Sequence, residues 1–333
     1  MPWTLAEHAQ AQRDPLSKGV YLGIVKESVL ADLLSFESTG TLQKTGVRFD
    51  TVISPEFIPL SGTIPERTAR GKQISWGVYQ MAVHIDIPTP LEREDGLLEK
   101  PSARQAKLAT EGSAYVFQQQ IVNGDQGSDP NGFDGFNKIV GNLASAQTVG
   151  ASELDIRAAA SPTSATMQSV IDRLDEGMDA VDGHKPTFAL CNRQFGLRVR
   201  SIFRREGLLG DNWNWVRNGF PFGDLRQKLS TKATDPMFIY SDVPFYDAGV
   251  QADQTTQVIA NNYSEGGSSN GTRVFFVKMG EDNVQGLQYA PPNMKNIGVL
   301  EDKEVERHRF TWMTGIAVWG HRSISKVQGI RVA

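Results

Sequence analysis

Residues 117–136 read FQQQIVNGDQGSDPNGFDGF, and this stretch decides how the surrounding chain can fold. It joins the end of an apolar helical pattern to a run made almost entirely of residues that favour turns. Ser102 can cap the helix after Pro101, and the pattern continues to about Val122, with the glutamines at 118–120 on its polar side. A helix of about twenty residues is ~30 Å long. The sequence therefore predicts one long helix that ends abruptly in a glycine- and aspartate-rich turn.

The same turn carries several carboxylates, which raises the question of a calcium site. An EF-hand loop needs glycine at its sixth position and a bidentate glutamate at its twelfth. Counted from Asn123, those positions hold Ser128 and Asp134, and a start at Asp125 fits no better. A structural turn is therefore favoured, and no metal or other cofactor is predicted.

The chain before the long helix is predicted to form two short helices and a long β-hairpin. Thr4 is a suitable N-cap for the first helix, and residues 16–36 keep helical spacing. Residues 47–53 and 74–87 alternate as strands, and a change of parity beside Gly77 indicates a bulge or a strand that changes the face it buries. The loop between the strands is long and therefore functional or mobile. Neither unit is stable alone, so each must lie on something else, in the same chain or another.

The second half of the chain is predicted to be a mixed body of helices and strands that begins after a polar boundary at 144–161. Together with the first half, this pattern predicts an α+β fold. The predicted elements are a helix capped at Thr163 or Ser164, a strand at 187–191, a helix at 192–203, strands at 237–240 and 273–278, and strand candidates at 297–300, 305–309, 312–319 and 325–330.

Composition excludes several classes of protein. The 333 residues carry 34 Lys+Arg against 38 Asp+Glu, and a formal net charge of -4 argues against a basic nucleic-acid coat. No run approaches about 18 apolar residues, so no membrane span is predicted. The single cysteine, Cys191, cannot form an internal disulfide and is interpreted as a small buried hydrophobe. Stability must therefore come from packing and association.

No catalytic constellation is found. Residues 267–271 match the G-x-S-x-G pattern, but a polar loop precedes them and a strand follows, which favours a hairpin loop over a nucleophile elbow. His84 and Asp86 share one face of a strand, and a surface or core polar pair is favoured over a catalytic dyad. The phosphate-binding loop pattern is absent. The sequence therefore predicts that the protein is not an enzyme.

Charged and aromatic residues that form no catalytic pattern can instead make contacts between copies of the chain. The arginine-rich helix after Cys191 is interpreted either as a solvated face with cations near its C-terminus or as an ion-pair cluster between subunits. Exposed Trp and Arg are what association hot spots use. The candidates are Leu16, Val20 and Ile24 in the N-terminal segment, Glu66, Arg67, Arg70 and Lys72 in the hairpin loop, Arg198, Arg204 and Arg205 in the arginine-rich helix, and Trp213 and Trp215 beyond it.

Taken in order, these parts resemble a phage major capsid protein of the HK97 fold. The resemblance covers essentially the whole chain and is strongest at 117–136, 185–193, 240–244 and 311–329. It implies four parts. They are an N-terminal arm (1–42), an extended E-loop hairpin (43–90), a peripheral P-domain with a long spine helix (91–150 and 286–322) and an axial A-domain (151–285 and 323–333).

The resemblance also implies a function. Subunits of this family form hexamers and pentamers of an icosahedral shell around double-stranded DNA, and the arm and hairpin are expected to lie on neighbouring subunits. The near-neutral charge suits a shell that encloses DNA without sequence-specific binding. The expected location is the virion capsid, after assembly in the host cytoplasm. The resemblance implies a portal as a partner and leaves a decoration protein open. Because Met1 lies almost directly before the arm, a separate scaffolding protein, or none, is expected.

Two alternatives stay open at this stage. An encapsulin-like cellular nanocompartment has a similar shell subunit and would need an internal cargo-binding site, which the sequence does not display. An α+β enzyme or carbohydrate-binding module would need convergent polar residues in one pocket. Lys44 and Lys72 border the hairpin loop, but no motif assigns a covalent cross-link to either lysine.

Overall fold

A computed structural model describes residues 3–5, 7, 15–49, 53–60, 63–68, 71–92, 101–143, 145–157, 160, 162–205 and 236–332. Within them the helices are α1 (Pro15–Glu27), α2 (Val29–Leu33), α3 (Thr89–Glu92), α4 (Pro101–Asn123), α5 (Phe136–Gly141), α6 (Ser164–Asp179) and α7 (Arg193–Arg205). The strands are β1 (Trp3–Thr4), β2 (Ser35–Ser38), β3 (Gln43–Phe49), β4 (Gly71–Gly77), β5 (Tyr79–Pro88), β6 (Thr148–Val149), β7 (Leu154–Asp155), β8 (Phe188–Cys191), β9 (Phe238–Tyr240), β10 (Val243–Asp247), β11 (Tyr263–Glu265), β12 (Ser268–Val277), β13 (Val284–Val299), β14 (Val305–Val318) and β15 (Ile324–Arg331).

The strands form two sheets and a separate hairpin. One sheet has the order β1-β2-β13-β14-β5. The other has the order β6-β15-β12-β8-β10-β9, with β11 paired to β12 and β7 paired to β15. Strands β3 and β4 pair with each other along their whole length. The mixed class of helices and sheets that the sequence predicts is confirmed.

The long helix α4 packs on the five-stranded sheet through aromatic side chains. Phe117 and Trp312 are both fully buried, and their ring centroids lie 4.6 Å apart. Phe36 from β2 packs against the ring of Phe117 at 6.0 Å. Phe133 from the turn after the helix reaches the same ring at 6.4 Å. The predicted long helix is confirmed, and its turn returns an aromatic side chain to the helix that it ends.

The glycine-rich turn closes tightly on the end of α4. The amide of Gly135 donates to the carbonyl of Gly124 at 2.8 Å, and Gln120 Nε2 donates to the carbonyl of Phe133 at 2.7 Å. A Cβ atom on Gly135 would lie 2.6 Å from the carbonyl oxygen of Gln120. Glycine is therefore required where the returning chain crosses the helix end.

The carboxylates of this turn bond to nearby groups. Asp125 accepts hydrogen bonds from the amide of Gly127 at 2.9 Å and from Lys138 Nζ at 3.2 Å, and these bonds lower its pKa. Asp134 accepts from the amide of Gln126 at 2.8 Å. Each carboxylate therefore helps to hold the shape of the turn.

The N-terminal segment folds on its own chain. Thr4 and Glu7 form a reciprocal capping box, which confirms Thr4 as an N-cap. The predicted helical segment over 16–36 is divided at Ser28, which caps the short helix α2, and it ends at Leu33, after which the chain enters β2. Leu30 and Phe36 are buried in the core that α4 shares with the five-stranded sheet. The described part of the predicted arm thus lies in cis, which differs from the expectation of contacts on neighbouring subunits.

The eight-stranded sheet is buried on both faces. In β8, Phe188 and Leu190 face the core that contains α4, whereas Ala189 and Cys191 face a second core beneath α6 and α7. Cys191 is fully buried as predicted, and burial is the main cause that raises the pKa of its thiol. Helix α6 begins at the predicted cap, Thr163, which accepts a hydrogen bond from the amide of Thr166.

Two interpretations of the sequence pattern are corrected by the structure. The pattern predicts separate strands at 305–309 and 312–319, but both belong to the single long strand β14. It also places Gln118 on the polar side of the long helix, yet this side chain is 1 % exposed and donates to the carbonyl of Ala248. Long-range pairing and packing, rather than local periodicity, decide both features.

A buried ion network joins β11, β12 and β15. Arg273 donates two hydrogen bonds to Glu265 at 2.9 and 2.7 Å, and Lys326 Nζ lies 3.3 Å from the same carboxylate. Burial alone raises the pKa of Glu265, but the two cations outweigh it and hold the pKa below its ordinary value. Burial lowers the pKa of Lys326. Removing the carboxylate would leave two buried cations without this partner.

We expect Phe117→Ala to lower the free energy of unfolding by about 3–5 kcal/mol, because it leaves a cavity between α4 and the sheet. Denaturant titration of the purified chain measures the loss. The matched control is Val116→Ala, one residue earlier in the same helix and 44 % exposed, for which we expect a change within about 0.5 kcal/mol. Equal losses in the two variants would contradict the role of Phe117.

We expect Glu265→Gln to change how stability depends on pH. The pKa of Glu265 is lower in the folded chain than in the unfolded chain, so its carboxylate stabilises the fold at a pH above the unfolded pKa. This stabilisation is lost as the pH falls through the folded pKa. The gap in melting temperature between the wild type and the variant should therefore narrow below about pH 4.5. Parallel melting profiles, or the same narrowing for the exposed control Glu301→Gln, would contradict this assignment.

Candidate assembly interface

The β3–β4 hairpin and its loop expose an unusual amount of apolar surface. Half of the exposed large hydrophobic side chains in the described part of the chain lie between residues 42 and 64. Monomeric soluble proteins rarely leave a large contiguous apolar patch uncovered. These side chains are Leu42, Val47, Ile53, Phe57, Ile58, Leu60 and Ile64.

The loop itself is extended and without regular secondary structure where it is described, at 53–60 and 63–68. Phe57 and Leu60 are fully exposed, and Ile64 is 77 % exposed. Glu56 and Arg67 form an ion pair between the two described segments of the loop. Since both side chains of that pair are partly exposed, its contribution to stability is small. The loop therefore presents apolar side chains that the described part of its own chain does not cover.

The base of the hairpin, in contrast, is fastened to the body. Lys44 Nζ lies 5.4 Å above the ring of Trp319, and the same ammonium forms an ion pair with Glu37. Gln285 Nε2 donates to the Glu37 carboxylate at 2.8 Å. A Cβ atom on Gly46 would lie 2.4 Å from the Trp319 ring, so the ring packs directly on the backbone of β3. The hairpin thus has a fixed base and an uncovered tip.

The chain passes from the hairpin to the five-stranded sheet at Gly77. The amide of Val78 donates to the carbonyl of Leu42 at 2.8 Å, and from Tyr79 onward the chain pairs with β14. The parity change beside Gly77 therefore marks the point at which the chain leaves the hairpin and joins the five-stranded sheet. Of the two predicted alternatives, a bulge and a strand that changes the face it buries, the structure shows the second. A cleft of about 450 Å³ lies beside this junction, with Trp76 in its lining.

The predicted contact residues of the hairpin are placed as follows. Glu66 and Arg67 are exposed in the loop, and Lys72 is exposed in β4, where it pairs with Arg48. Arg70 lies outside the described residues. Sequence reasoning favours these charged residues and misses the exposed apolar residues beside them. The exposed apolar residues could have been identified from the sequence, because the loop is unusually long and alternates apolar residues with prolines.

The N-terminal candidates occupy a different position. Val20 is 5 % exposed and Ile24 is fully buried, and both belong to the core that contains α4. Leu16 lies in α1, but its side chain is outside the described residues. In the single chain, Val20 and Ile24 therefore contact their own subunit.

The remaining candidates belong to α7 and the segment after it. Arg198 is partly exposed and Arg204 is exposed on α7. Arg205 ends the same helix, and its side chain lies outside the described residues, as do Trp213 and Trp215 entirely. Arg193 and Arg204 lie on the face opposite the buried apolar stripe of the helix, whereas Arg198 and Arg200 flank that stripe and are partly exposed.

The pair His84 and Asp86 forms a polar ladder on the sheet surface. His84 Nε2 accepts from Arg309 Nε at 2.8 Å, and Asp86 accepts two hydrogen bonds of 2.6 Å from Arg307. The hydrogen bond from Arg307 is the main cause that lowers the pKa of Asp86. All four groups are cross-strand partners in β5 and β14, which confirms the interpretation as a surface pair.

The G-x-S-x-G match also has a structural role. Gly266 and Gly267 form the tight turn between β11 and β12, with positive φ angles of 60° and 76°. This geometry is that of a two-residue hairpin, so the first glycine of the match lies in a hairpin turn as predicted, whereas Ser268 to Gly271 belong to strand β12. Across the described ranges, no three His, Cys, Asp or Glu side chains are grouped to hold a metal ion. No helix among the described residues has the length and apolarity to cross a membrane.

Comparison with known proteins agrees with this geometry at the level of the fold. The chain resembles a subunit of the SrpI encapsulin complex of Synechococcus elongatus, with a TM-score of 0.62 and 13 % identity over 91 % of this chain and 88 % of that one. It resembles the capsid of a native GTA particle, with a TM-score of 0.60 and 13 % identity over 92 % and 90 %.

A third similar structure is that of Mycobacterium phage Bobi, with a TM-score of 0.54 and 13 % identity over 91 % and 90 % of the two chains. No family model and no curated protein match the chain. At these identities the likeness establishes the fold, and the resemblance to HK97-fold capsid subunits is confirmed in that respect.

We expect Trp319→Ala to loosen the hairpin without unfolding the body. An exposed cation–π contact contributes about 0.5–1 kcal/mol, and the ring also packs on the β3 backbone. Hydrogen exchange of the β3 and β4 amides should therefore accelerate severalfold, while the amides of α4 keep their rates. The control is Tyr289→Ala, which removes a half-exposed aromatic ring from β13. Unchanged exchange in the hairpin of the Trp319 variant would contradict the anchor.

Proposed function

We propose that this chain is the major capsid protein of a tailed double-stranded DNA bacteriophage, which self-assembles as hexamers and pentamers into an icosahedral shell. The observation that carries the proposal is the exposed apolar loop, as described at 53–60 and 63–68, on a body with the HK97 fold. The body is well packed without the loop. A second copy of the chain is therefore the natural cover for it.

The parts of the fold suit the four-part division of such subunits. In this proposal the hairpin is the E-loop and α4 is the spine helix. Strands β13 and β14 belong to the sheet on which α4 packs, which suits a P-domain of 91–150 and 286–322. Strand β15 belongs to the other sheet, which suits an A-domain of 151–285 and 323–333.

The free energy for assembly comes from covering the loop. Full burial of an apolar side chain such as Phe57 or Leu60 is favourable by about 1.5–3 kcal/mol. Each subunit offers one loop and receives one, so the contact is heterologous and repeats around a closed ring. Ordering the loop opposes this gain, and a fixed base reduces the ordering that remains. The anchor of Lys44 on Trp319 therefore favours assembly.

The charge of the chain suits a container. A formal net charge of -4 gives no general attraction for phosphates, so the enclosed double-stranded DNA would be held by the shell rather than by sequence-specific contacts. The proposed location is the virion capsid, after assembly in the host cytoplasm. The proposed partners are a portal and a separate scaffolding protein. The role is structural rather than enzymatic.

A second candidate function is a cellular nanocompartment of the encapsulin type. The likeness to the encapsulin subunit, at a TM-score of 0.62, favours it. The contents of shells purified from the native source distinguish the two functions. Double-stranded DNA supports the capsid, and a protein cargo without DNA supports the nanocompartment.

We expect the triple variant Phe57→Ser, Leu60→Ser and Ile64→Ser to remain folded and to lose shell assembly. These side chains are exposed in the single chain, so its free energy of unfolding should change by less than about 0.5 kcal/mol. Sedimentation velocity should show shells for the wild type and isolated subunits or small oligomers for the variant.

The matched control changes the same loop at three polar positions that are not contact candidates, as Ser54→Thr, Thr63→Ser and Thr68→Ser. We expect this control to assemble like the wild type. Normal assembly of the apolar-to-serine variant, or equal loss in both variants, would contradict the proposed role of the apolar loop.

A further inference from the structure

Helices α6 and α7 pack on one face of the eight-stranded sheet, over different strands. Met167 and Leu174 of α6 share a single core with Phe195 and Val199 of α7. Helix α6 packs on β6, β7 and β15, at one end of the strand order. Helix α7 packs on β10, near the other end. The two outer faces therefore belong to one layer of the subunit.

The outer face of α6 is acidic. Asp172, Asp175, Glu176 and Asp179 are exposed on it. The one arginine of this helix, Arg173, is buried and donates to backbone carbonyls beneath the helix. In the part of the chain that the structure describes, no cation lies within ion-pair distance of Asp172 or Glu176. At these two positions the acidic face thus lacks a basic counterpart among the described residues of its own subunit.

The outer face of α7 is basic. The helix contains five arginines and no acidic residue. Arg193 and Arg204 are exposed, and Arg198 is partly exposed. Among the described residues, no carboxylate forms an ion pair with Arg198 or Arg204. One layer of the subunit therefore carries an acidic helix over β6, β7 and β15 and a basic helix over β10.

We propose that the acidic face of α6 meets the basic face of α7 of the next copy around each capsomer ring. This inference deepens the proposed function and rests on it. In a closed ring, one side of a subunit must complement the opposite side of its neighbour. A contact between two α6 faces would oppose acids, and a contact between two α7 faces would oppose arginines. The charges therefore select the head-to-tail arrangement over both two-fold alternatives.

The charges act on the encounter and orientation of subunits more than on the final affinity. Complementary charges accelerate association and disfavour wrong arrangements, whereas exposed ion pairs add little to stability. Assembly of rings should therefore slow as salt is added. At about 0.5 M salt the Debye length is about 4 Å, and most of the steering is screened.

Charge reversal on one face at a time tests the proposal. The first variant carries Asp172→Lys and Glu176→Lys, and the second carries Arg198→Glu and Arg204→Glu. We expect each alone to lower the yield of rings and shells at least tenfold in low salt, because like charges then meet at every contact. Sedimentation velocity and native mass spectrometry measure the yield, and circular dichroism of the separated subunits verifies folding.

Two restorations provide the matched controls. A chain that carries all four substitutions again has opposite charges at every contact, so it should assemble. An equal mixture of the two variants should form rings in which they alternate, giving hexamers with three copies of each. Five-membered rings cannot alternate perfectly, so the mixture should form pentamers poorly.

The outcomes separate this inference from the proposed function. A wild type that forms no rings or shells overturns the proposed function and the inference with it. A wild type that assembles while either two-site variant assembles equally well overturns the inference alone. Folded variants that neither the fourfold chain nor the mixture restores also overturn the inference alone. Loss in both variants with restoration by both routes supports it.

Discussion

The packing of Phe117 against Trp312 and Phe36 is the contact on which the rest of the structure depends. It fixes the long helix on the five-stranded sheet, and the glycine-rich turn then returns the chain across the helix end. The same helix reaches the second body, because Asn123 Nδ2 donates to the carbonyl of Val258 at 2.6 Å. Gln118 makes a second such bond from a buried position. One helix thereby sets the positions of both sheets.

This arrangement separates the body, which is packed within one chain, from the exposed loop, which in the proposed function is covered by another copy. The core contains the N-terminal segment, the long helix and both faces of the eight-stranded sheet, and so the body is stabilised within one chain. Trp319 supports the hairpin at its base. The described apolar side chains at its tip have no support of comparable extent among the described residues. A subunit built in this way can fold first and bury its remaining apolar surface in contacts with other copies. That order keeps the interface free until a partner is present.

Local signals in the sequence predict the parts that local chemistry determines. The turn formers after Asn123, the cap at Thr163 and the apolar run around Cys191 each specify their structure within a few residues. The cis packing of the N-terminal segment, the continuity of β14 and the burial of Gln118 could not be predicted in this way, because each depends on a partner far along the chain. Sequence reasoning points to the hairpin as a contact surface, but it favours the charged residues there over the apolar ones. The exposure of those apolar residues is visible once the tertiary structure shows that nothing in the described chain covers the described loop.

The most direct test of the account is electron microscopy of the purified full-length chain at concentrations at which capsid subunits assemble. The account predicts closed shells built from ring-shaped capsomers, with the hairpin of each subunit resting on the next. A solution of isolated, well-folded monomers under all such conditions would contradict it, because the apolar loop would then be stable in water without a neighbouring copy to cover it.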